Sequence, residues 1–187
     1  VYTKQGTWRE IQDKLIVPKN RLIELTKGSL TLGSLIVEPF SVSHDAADPI
    51  GINVFAGNNK ATIVTDTGVI SDNILRRIDD TTLLVLEANY DPHMLRFGPY
   101  QSFLKQRVAS DEGHLSNEMA AQALLMMKRP DFMQVILAHR SENNNNAVLV
   151  TQTIGKMLVD GGVRIGPEMK LQHGQPNEIV SIQSVKR

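Results

Sequence analysis

Short apolar runs that end in polar residues dominate the hydrophobic pattern of this chain. Four runs rich in leucine and β-branched residues occupy 35–42, 62–65, 83–86 and 135–138, and their length predicts buried strands. The residues that follow them include His44, Asp66, Glu87 and His139. If the four strand ends lie together in layered sheets, His44, Asp66 and His139 converge at one rim.

Helical spacing between these strands predicts three amphipathic helices, over 71–78, 116–127 and 147–160. Ser71 and Ser116 stand where a side-chain oxygen caps the first free N–H groups, and Gly161 ends the third helix. A helix over 7–15 is also predicted, with Thr7 as its cap and Glu10 at capping-box spacing.

The remaining pattern predicts further strands and one long loop. Strands are expected at 21–26 and 30–32, a hairpin at 50–66, and a closing edge strand at 179–185. Residues 91–113 show little periodicity and are expected to form a loop. Strands alternating with helices predict an α/β fold, and the hairpin makes its sheets mixed rather than wholly parallel.

Composition narrows the class of protein. The 187 residues contain no cysteine, which excludes disulfides and thiolate metal ligands, and 41% are hydrophobic, as in ordinary globular domains. No apolar run is long enough for a membrane span and no signal peptide is visible, so we expect a cytoplasmic protein. The net charge is zero, and a polyanionic partner would therefore bind a local basic patch.

Two imidazoles and a carboxylate at one rim are typical divalent-metal ligands. His44, Asp66 and His139 are therefore the predicted metal ligands. Two other readings stay open: His44 as a strand-end histidine bonded to backbone, and Asp66 as part of an ordinary turn. An aspartic protease would need a second Asp-Thr-Gly segment, which this chain does not contain.

His114 lies just before the predicted helix N-terminus, where the helix dipole disfavours imidazolium and attracts anions. A phosphate bound there, next to Ser116 and Asn117, would lie beside a proton donor. The alternative is that Ser116 only caps the helix and that His114 is an exposed loop residue.

Polar groups around the same strand ends are the predicted substrate contacts. Ser141, Asn143 and Asn144 offer neutral donors for a phosphate or a sugar, although an asparagine-rich turn explains them equally well. Glu87 and Asp91 are predicted to orient a ligand histidine, or else to form surface ion pairs.

The predicted long loop carries basic and aromatic residues, among them Lys105, Arg107, Tyr100 and Phe103. Such a loop beside a metal rim suits a nucleic-acid strand. A solvated loop surface is the alternative explanation for these charges.

Six blocks, taken in order, resemble the metallo-β-lactamase superfamily, and within it the nuclease-like YycJ/WalJ/VicX-type proteins encoded with a cell-wall two-component system. The blocks are FSVSHDA at 40–46, TDTG at 65–68, LEAN at 86–89, GPY at 98–100, GHLSNE at 113–118 and LAH with SENN at 137–144. The likeness covers almost the whole chain and implies a four-layer αββα sandwich, here partial.

The resemblance implies roles for the candidate residues. His44 is similar to a metal ligand of the family, Asp66 to the carboxylate that bridges two metals, and His139 to the last ligand of the second metal. His114 resembles the proton donor of related phosphodiesterases. The resemblance thus implies catalytic roles for His114, as proton donor, and for Asp66, as bridging carboxylate. The cofactors implied are two divalent ions, zinc or manganese, and the partner is nucleic acid, DNA rather than RNA.

The family's first metal motif, His-x-His-x-Asp-His, is absent from these residues. We therefore expect a single domain over 1–187 that is truncated at its N-terminus, with an incomplete metal site and no turnover. Exposed strand edges in such a piece predict a homo-oligomer. Two functions are carried forward: a 5′-exonuclease on DNA, and a non-catalytic interaction domain of cell-wall two-component signalling.

Overall fold

The computed structural model describes residues 1–25 and 28–182, which form a mixed α/β fold around one large sheet. A two-stranded sheet pairs β1 (Tyr2–Thr3) with β2 (Ile23–Glu24). The large sheet contains seven strands in chain order: β3 (Leu30–Leu32), β4 (Leu35–Ser41), β5 (Ile50–Ala56), β6 (Asn59–Val64), β7 (Leu83–Glu87), β8 (Met133–Ala138) and β9 (Met169–His173).

Strand direction brings four strand ends to one edge of the sheet. Strands β4, β5 and β6 pair antiparallel, whereas β6, β7, β8 and β9 pair parallel. Two antiparallel steps restore the original direction, so β4 runs parallel to β6. The carboxyl ends of β4, β6, β7 and β8 therefore share an edge, which is the arrangement that the sequence predicts.

Helices α2 (Asp72–Ile78), α5 (Asn117–Met126) and α6 (Ala147–Asp160) contribute to the main core. Alternate strand residues, including Val64, Leu84, Leu86 and Val135, pack with them and are fully buried. Each buried leucine contributes about 2 kcal/mol to the free energy of folding through removal of apolar surface from water. This layer holds the strand ends in place.

The opposite face of the sheet carries a row of apolar side chains in register. Ile52, Ile63, Val85 and Ile136 are cross-strand neighbours on successive strands. Ile63 retains 42% of its accessible surface, whereas the strand residues that alternate with it are buried. The described residues thus provide one helix-covered sheet with a partly open second face, the partial sandwich that the sequence predicts.

The loop predicted over 91–113 was wrong, because two short helices occupy it: α3 (Pro92–Phe97) and α4 (Ser102–Val108). Each helix has only one buried residue, Leu95 in α3 and Val108 in α4, and both pack on Tyr90 in a small separate cluster. So few buried positions leave almost no helical period to detect.

Three further boundary predictions were wrong or incomplete. The first helix, α1 (Gln5–Ile11), begins before Thr7, and its N-cap Lys4 makes no side-chain capping bond. Residues 179–182 form no strand, and 183–185 lie outside the described residues. Among the described residues the last strand is β9, which pairs parallel with β8 and was not predicted, although its Met169 and Leu171 alternate with Lys170 and Gln172. The strand predicted over 21–26 shortens to β2, with residue 26 outside the described part.

Within the described part of the chain, no helix combines the length and the apolar character that crossing a bilayer requires.

Candidate metal centre

Five titratable side chains meet at the shared edge of the sheet. Asp66 follows β6, Glu87 ends β7, and His139 follows β8 directly. His44 lies in the segment after β4, and His114 precedes α5. Four of the five thus come from the carboxyl ends of strands.

The backbone is strained at the two residues nearest the centre. Asp66 has φ +56° and His139 has φ +52°, a left-handed conformation that is uncommon for residues other than glycine. Such strain costs about 1–3 kcal/mol per residue and clusters at functional sites. Glu87 accepts a hydrogen bond from the Asp66 N–H, and Asn89 Nδ2 donates to the His139 carbonyl at 2.7 Å. These contacts hold both residues in the strained form.

The carboxylate of Asp66 lies between two imidazoles. Its Oδ1 is 3.4 Å from His139 Nε2 and 3.8 Å from His44 Nε2. The His114 ring centroid is 5.0 Å from that of His44 and 5.1 Å from that of His139. The structure therefore brings together His44, Asp66 and His139, together with His114.

A fully buried carboxylate, Glu87, supports this rim from below. Its Oε1 accepts from the Leu115 N–H at 2.7 Å and faces His114 Nδ1 at 3.1 Å. Its Oε2 accepts from the Asp66 N–H and faces His139 Nδ1 at 3.2 Å. The Glu87 side chain thus fixes the orientation of both imidazoles, and it also holds the backbone at Asp66 and Leu115.

These contacts shift two pKa values in opposite directions. Burial acts to raise the pKa of Glu87, but the bonds from His114 and His139 outweigh it and hold that pKa below its usual value. The bond to Glu87 raises the pKa of His139, against the effect of burial and with added attraction from Glu87 and Asp66. Glu87 is consequently an anion, and His139 Nδ1 carries a proton.

His44 is oriented by the backbone. Its Nδ1 lies 3.0 Å from the Gly113 carbonyl, which can only accept, so Nδ1 is protonated and Nε2 is the free nitrogen. That nitrogen faces Asp66 and, at 3.5 Å, Asp45. The predicted ligand atom therefore points into the centre.

Donor chemistry at the rim fits a divalent ion. Asp66, Glu87, His114 and His139 each offer one donor atom, and these four atoms lie within 4.8 Å of one another. Imidazole nitrogen with carboxylate oxygen suits zinc and manganese. Both oxygens of Glu87 already accept bonds from protein donors, which favours an orienting role for it over direct coordination. His44 lies outside this four-residue group and reaches it through Asp66.

An open cavity of about 380 Å³ lies in front of the centre. Its wall includes the imidazoles of His44 and His114. Among its other polar residues are Asp45, Arg107, Ser141 and Asn143. Arg107 Nε donates to Asp45 Oδ2, so its charge is already paired in part. Lys105 donates to the Arg96 carbonyl at 2.8 Å and is not in the cavity wall.

The remaining predicted contact residues have structural partners. Ser116 Oγ accepts from the Met119 N–H as the cap of α5, and Asp91 Oδ1 accepts from Met94 as the cap of α3. Asn117 is fully buried and pairs with Asn145. Asn144 is likewise buried, and its Nδ2 donates to Ser141 Oγ. Their predicted roles toward substrate and ligands stay predictions.

Two residues at the site were missed by the sequence analysis. Asp45 lines the cavity, and Asn89 fixes the His139 backbone. Asp45 directly follows His44 and Asn89 lies two residues after Glu87, so their position at strand ends was an available signal. Tyr100, which the sequence analysis placed in the basic and aromatic loop, also lines the cavity.

Comparison with known proteins agrees with this geometry. A family model described as Beta-lactamase superfamily domain matches residues 1–139. Exodeoxyribonuclease YycJ of Bacillus anthracis is 33% identical over 187 aligned residues, covering 99% of this chain and 71% of that protein. Exodeoxyribonuclease WalJ of Streptococcus pneumoniae is 30% identical over 182 residues, covering 95% of this chain and 67% of that protein.

Solved structures share the fold. The metallo-beta-lactamase fold protein YhfI from Bacillus subtilis matches with a TM-score of 0.65 and 13% identity, over 93% of this chain and 61% of that one. Zn(2+)-bound PqqB from Methylobacterium extorquens matches with a TM-score of 0.58 and 16% identity, over 92% and 59%. This chain thus spans about three fifths of each structure. With a family model that covers most of its length and relatives of 30% and 33% identity, the chain belongs to the beta-lactamase superfamily.

Proposed function

We propose that this chain is part of a metal-dependent nuclease that hydrolyses phosphodiester bonds of DNA from a 5′ end. The observation that carries the proposal is the packed group of Asp66, Glu87, His114 and His139, next to an open polar cavity that His114 lines. The names of the two exodeoxyribonuclease relatives support the substrate class.

Asp66, His44 and His139 are the proposed metal ligands, with Asp66 shared because both imidazoles face its Oδ1. A bound divalent ion, zinc or manganese, supplies a water of lowered pKa and neutralises charge on the phosphodiester. Glu87 keeps a proton on His139 Nδ1, so that Nε2 faces the ligand position.

His114 is the proposed proton donor to the leaving oxygen. Its ring lines the cavity while Nδ1 faces the buried carboxylate of Glu87. That contact fixes the ring orientation and aims Nε2 away from the core, as a proton donor to substrate requires. The amide of Asn143 and the hydroxyl of Ser141 are the proposed neutral contacts to the substrate, with Arg107 beside them.

The proposal includes weak metal binding and negligible turnover by residues 1–187 alone. Three proposed ligands are too few to complete two sites, since a catalytic zinc normally takes three protein ligands of its own. We therefore propose that the whole protein carries the His-x-His-x-Asp-His motif ahead of Val1 in a single domain with this chain.

The test is cleavage of 5′-phosphorylated DNA with added zinc or manganese, by this chain and by a form that carries the upstream motif. We expect mononucleotide release from the 5′ end by the longer form alone. Robust cleavage by this chain would overturn the proposal that its metal site is incomplete. Absence of cleavage by the metal-loaded longer form would overturn the nuclease proposal.

A histidine variant separates catalysis from metal binding. In the longer form, His114→Ala should lower turnover by about 100-fold while bound metal stays unchanged, because proton transfer contributes about 10²–10⁴-fold. His93→Ala is the matched control, since His93 is exposed on α3 and lines no wall of the cavity. Equal turnover of the two variants would remove His114 from the mechanism.

A further inference from the structure

A second cavity, of about 630 Å³, lies at the carboxyl ends of β8 and β9. Its wall combines the segment after β8, the N-terminus of α6 and the chain after β9, including Arg140, Asn146, Ala147 and Gly174. The proposed chemistry uses His139 of this wall but none of these four residues.

Arg140 is a cation without a partner in this wall. Its Nη1 is buried and makes no hydrogen bond to any described residue, and no described carboxylate lies within ion-pair distance of it. Two acidic residues, Glu142 and Glu178, line the same cavity but leave the guanidinium unpaired. An unsatisfied buried donor on a charged group is costly, so an acceptor that reaches Arg140, from a ligand or an ordered water, stabilises this arrangement.

The surroundings favour an anion. Ala147 is the first residue of the 14-residue helix α6, and the leading N–H groups of a helix attract negative charge. His173 lies nearby, and burial, with the Arg140 charge, lowers its pKa so that it stays neutral. Arg140 is the one arginine or lysine among the described residues that line this cavity, beside the His139 imidazole.

The cavity adjoins the metal centre. His139 belongs to the candidate metal group, directly precedes Arg140 and also lines this second cavity. Glu142 lines both cavities, so only the 139–142 segment separates them. A nucleic-acid strand with one phosphate at the metal centre presents another phosphate nearby.

We propose that Arg140 and the N-terminus of α6 form a binding site for a phosphate group of the substrate, distinct from the scissile one. The planar guanidinium offers paired donors that match two phosphate oxygens. The phosphate is either the 5′-terminal group or an internal phosphodiester. Its assignment to the substrate rests on the proposed nuclease function, whereas anion binding at Arg140 does not.

The test measures binding by this chain in EDTA, so that no metal contributes. Inorganic phosphate is titrated by NMR into the unaltered chain, Arg140→Gln, Arg140→Lys and the control Arg76→Gln, which removes an exposed charge on α2. We expect Arg140→Gln to weaken phosphate binding at least about tenfold, the effect of losing a charge-assisted hydrogen bond. Arg140→Lys should retain part of it, and Arg76→Gln all of it.

Oligonucleotides then distinguish the two phosphate sources. Tighter binding of 5′-phosphorylated than 5′-hydroxyl trinucleotides, lost in Arg140→Gln, identifies the terminal phosphate; equal weakening of both by Arg140→Gln identifies an internal one. Equal phosphate affinity of Arg140→Gln and Arg76→Gln, with matching unfolding curves, would overturn the site. Phosphate binding by this chain together with failed cleavage by the metal-loaded longer form would overturn the nuclease proposal alone.

Discussion

Replacing Glu87 by glutamine tests whether one buried carboxylate organises the centre. The side chain accepts from two backbone N–H groups, of Asp66 and Leu115, and contacts two imidazoles, of His114 and His139. Glutamine has nearly the same shape but only one acceptor oxygen, and its amide N–H₂ must face one of these donors.

The expected cost follows from those contacts. At least one backbone donor loses its acceptor in a fully buried position, at about 1–3 kcal/mol, and both imidazoles lose a charged partner at about 1 kcal/mol each. Burial of a neutral amide instead of a carboxylate offsets part of this loss. We expect the free energy of unfolding to fall by about 3 kcal/mol.

Urea denaturation in EDTA measures this change, and histidine NMR titration provides a second readout. The pKa of His139 should fall when the carboxylate is replaced, because Glu87 is the main cause of its elevation. Glu142→Gln is the control: that residue is exposed at the same rim, and its replacement should stay within about 0.5 kcal/mol. A loss below 1 kcal/mol for Glu87→Gln, or an unchanged His139 pKa, would refute the reasoning.

Three other outcomes are expected. Asp66→Asn should reduce zinc or manganese affinity more than about tenfold in equilibrium dialysis. Stability should be nearly unchanged, because asparagine also tolerates φ +56°. Unchanged metal affinity would contradict the role of Asp66 as a shared ligand. Asn145→Ala should lower the urea unfolding free energy by about 2–3 kcal/mol, because Asn117, the Ala88 carbonyl and the Asn146 N–H lose their partner, whereas a loss near zero would show that water replaces it. Sedimentation velocity should show self-association through the open sheet face that Ile63→Lys weakens, and a monomer at every concentration would disprove this contact.

Local pattern was sufficient for the central strands and the capped helices. Strands β4, β6, β7 and β8 were predicted because each is rich in apolar and β-branched residues, which pack well on a pleated, half-buried surface. Ser71 and Ser116 were predicted as caps, and each accepts the bond from the third helical residue. The likeness to the superfamily came from the same short blocks, and the comparisons confirm it.

Local pattern failed where structure depends on distant contacts. Helices α3 and α4 bury one residue each, so packing against Tyr90 rather than periodicity maintains them. Strand β9 was missed although Met169 and Leu171 alternate with Lys170 and Gln172, because so short an alternation is ambiguous until its pairing with β8 is known.

The sequence by itself determined which residue types end the buried strands, and therefore that imidazoles and carboxylates were available for metal chemistry. Only the tertiary structure decided that Glu87 joins two histidines, that Asn117 pairs with Asn145, and that Arg140 Nη1 has no partner among the described residues. The physical reason is that strand composition is set by local burial, whereas the pairing of a polar atom depends on groups far away along the chain.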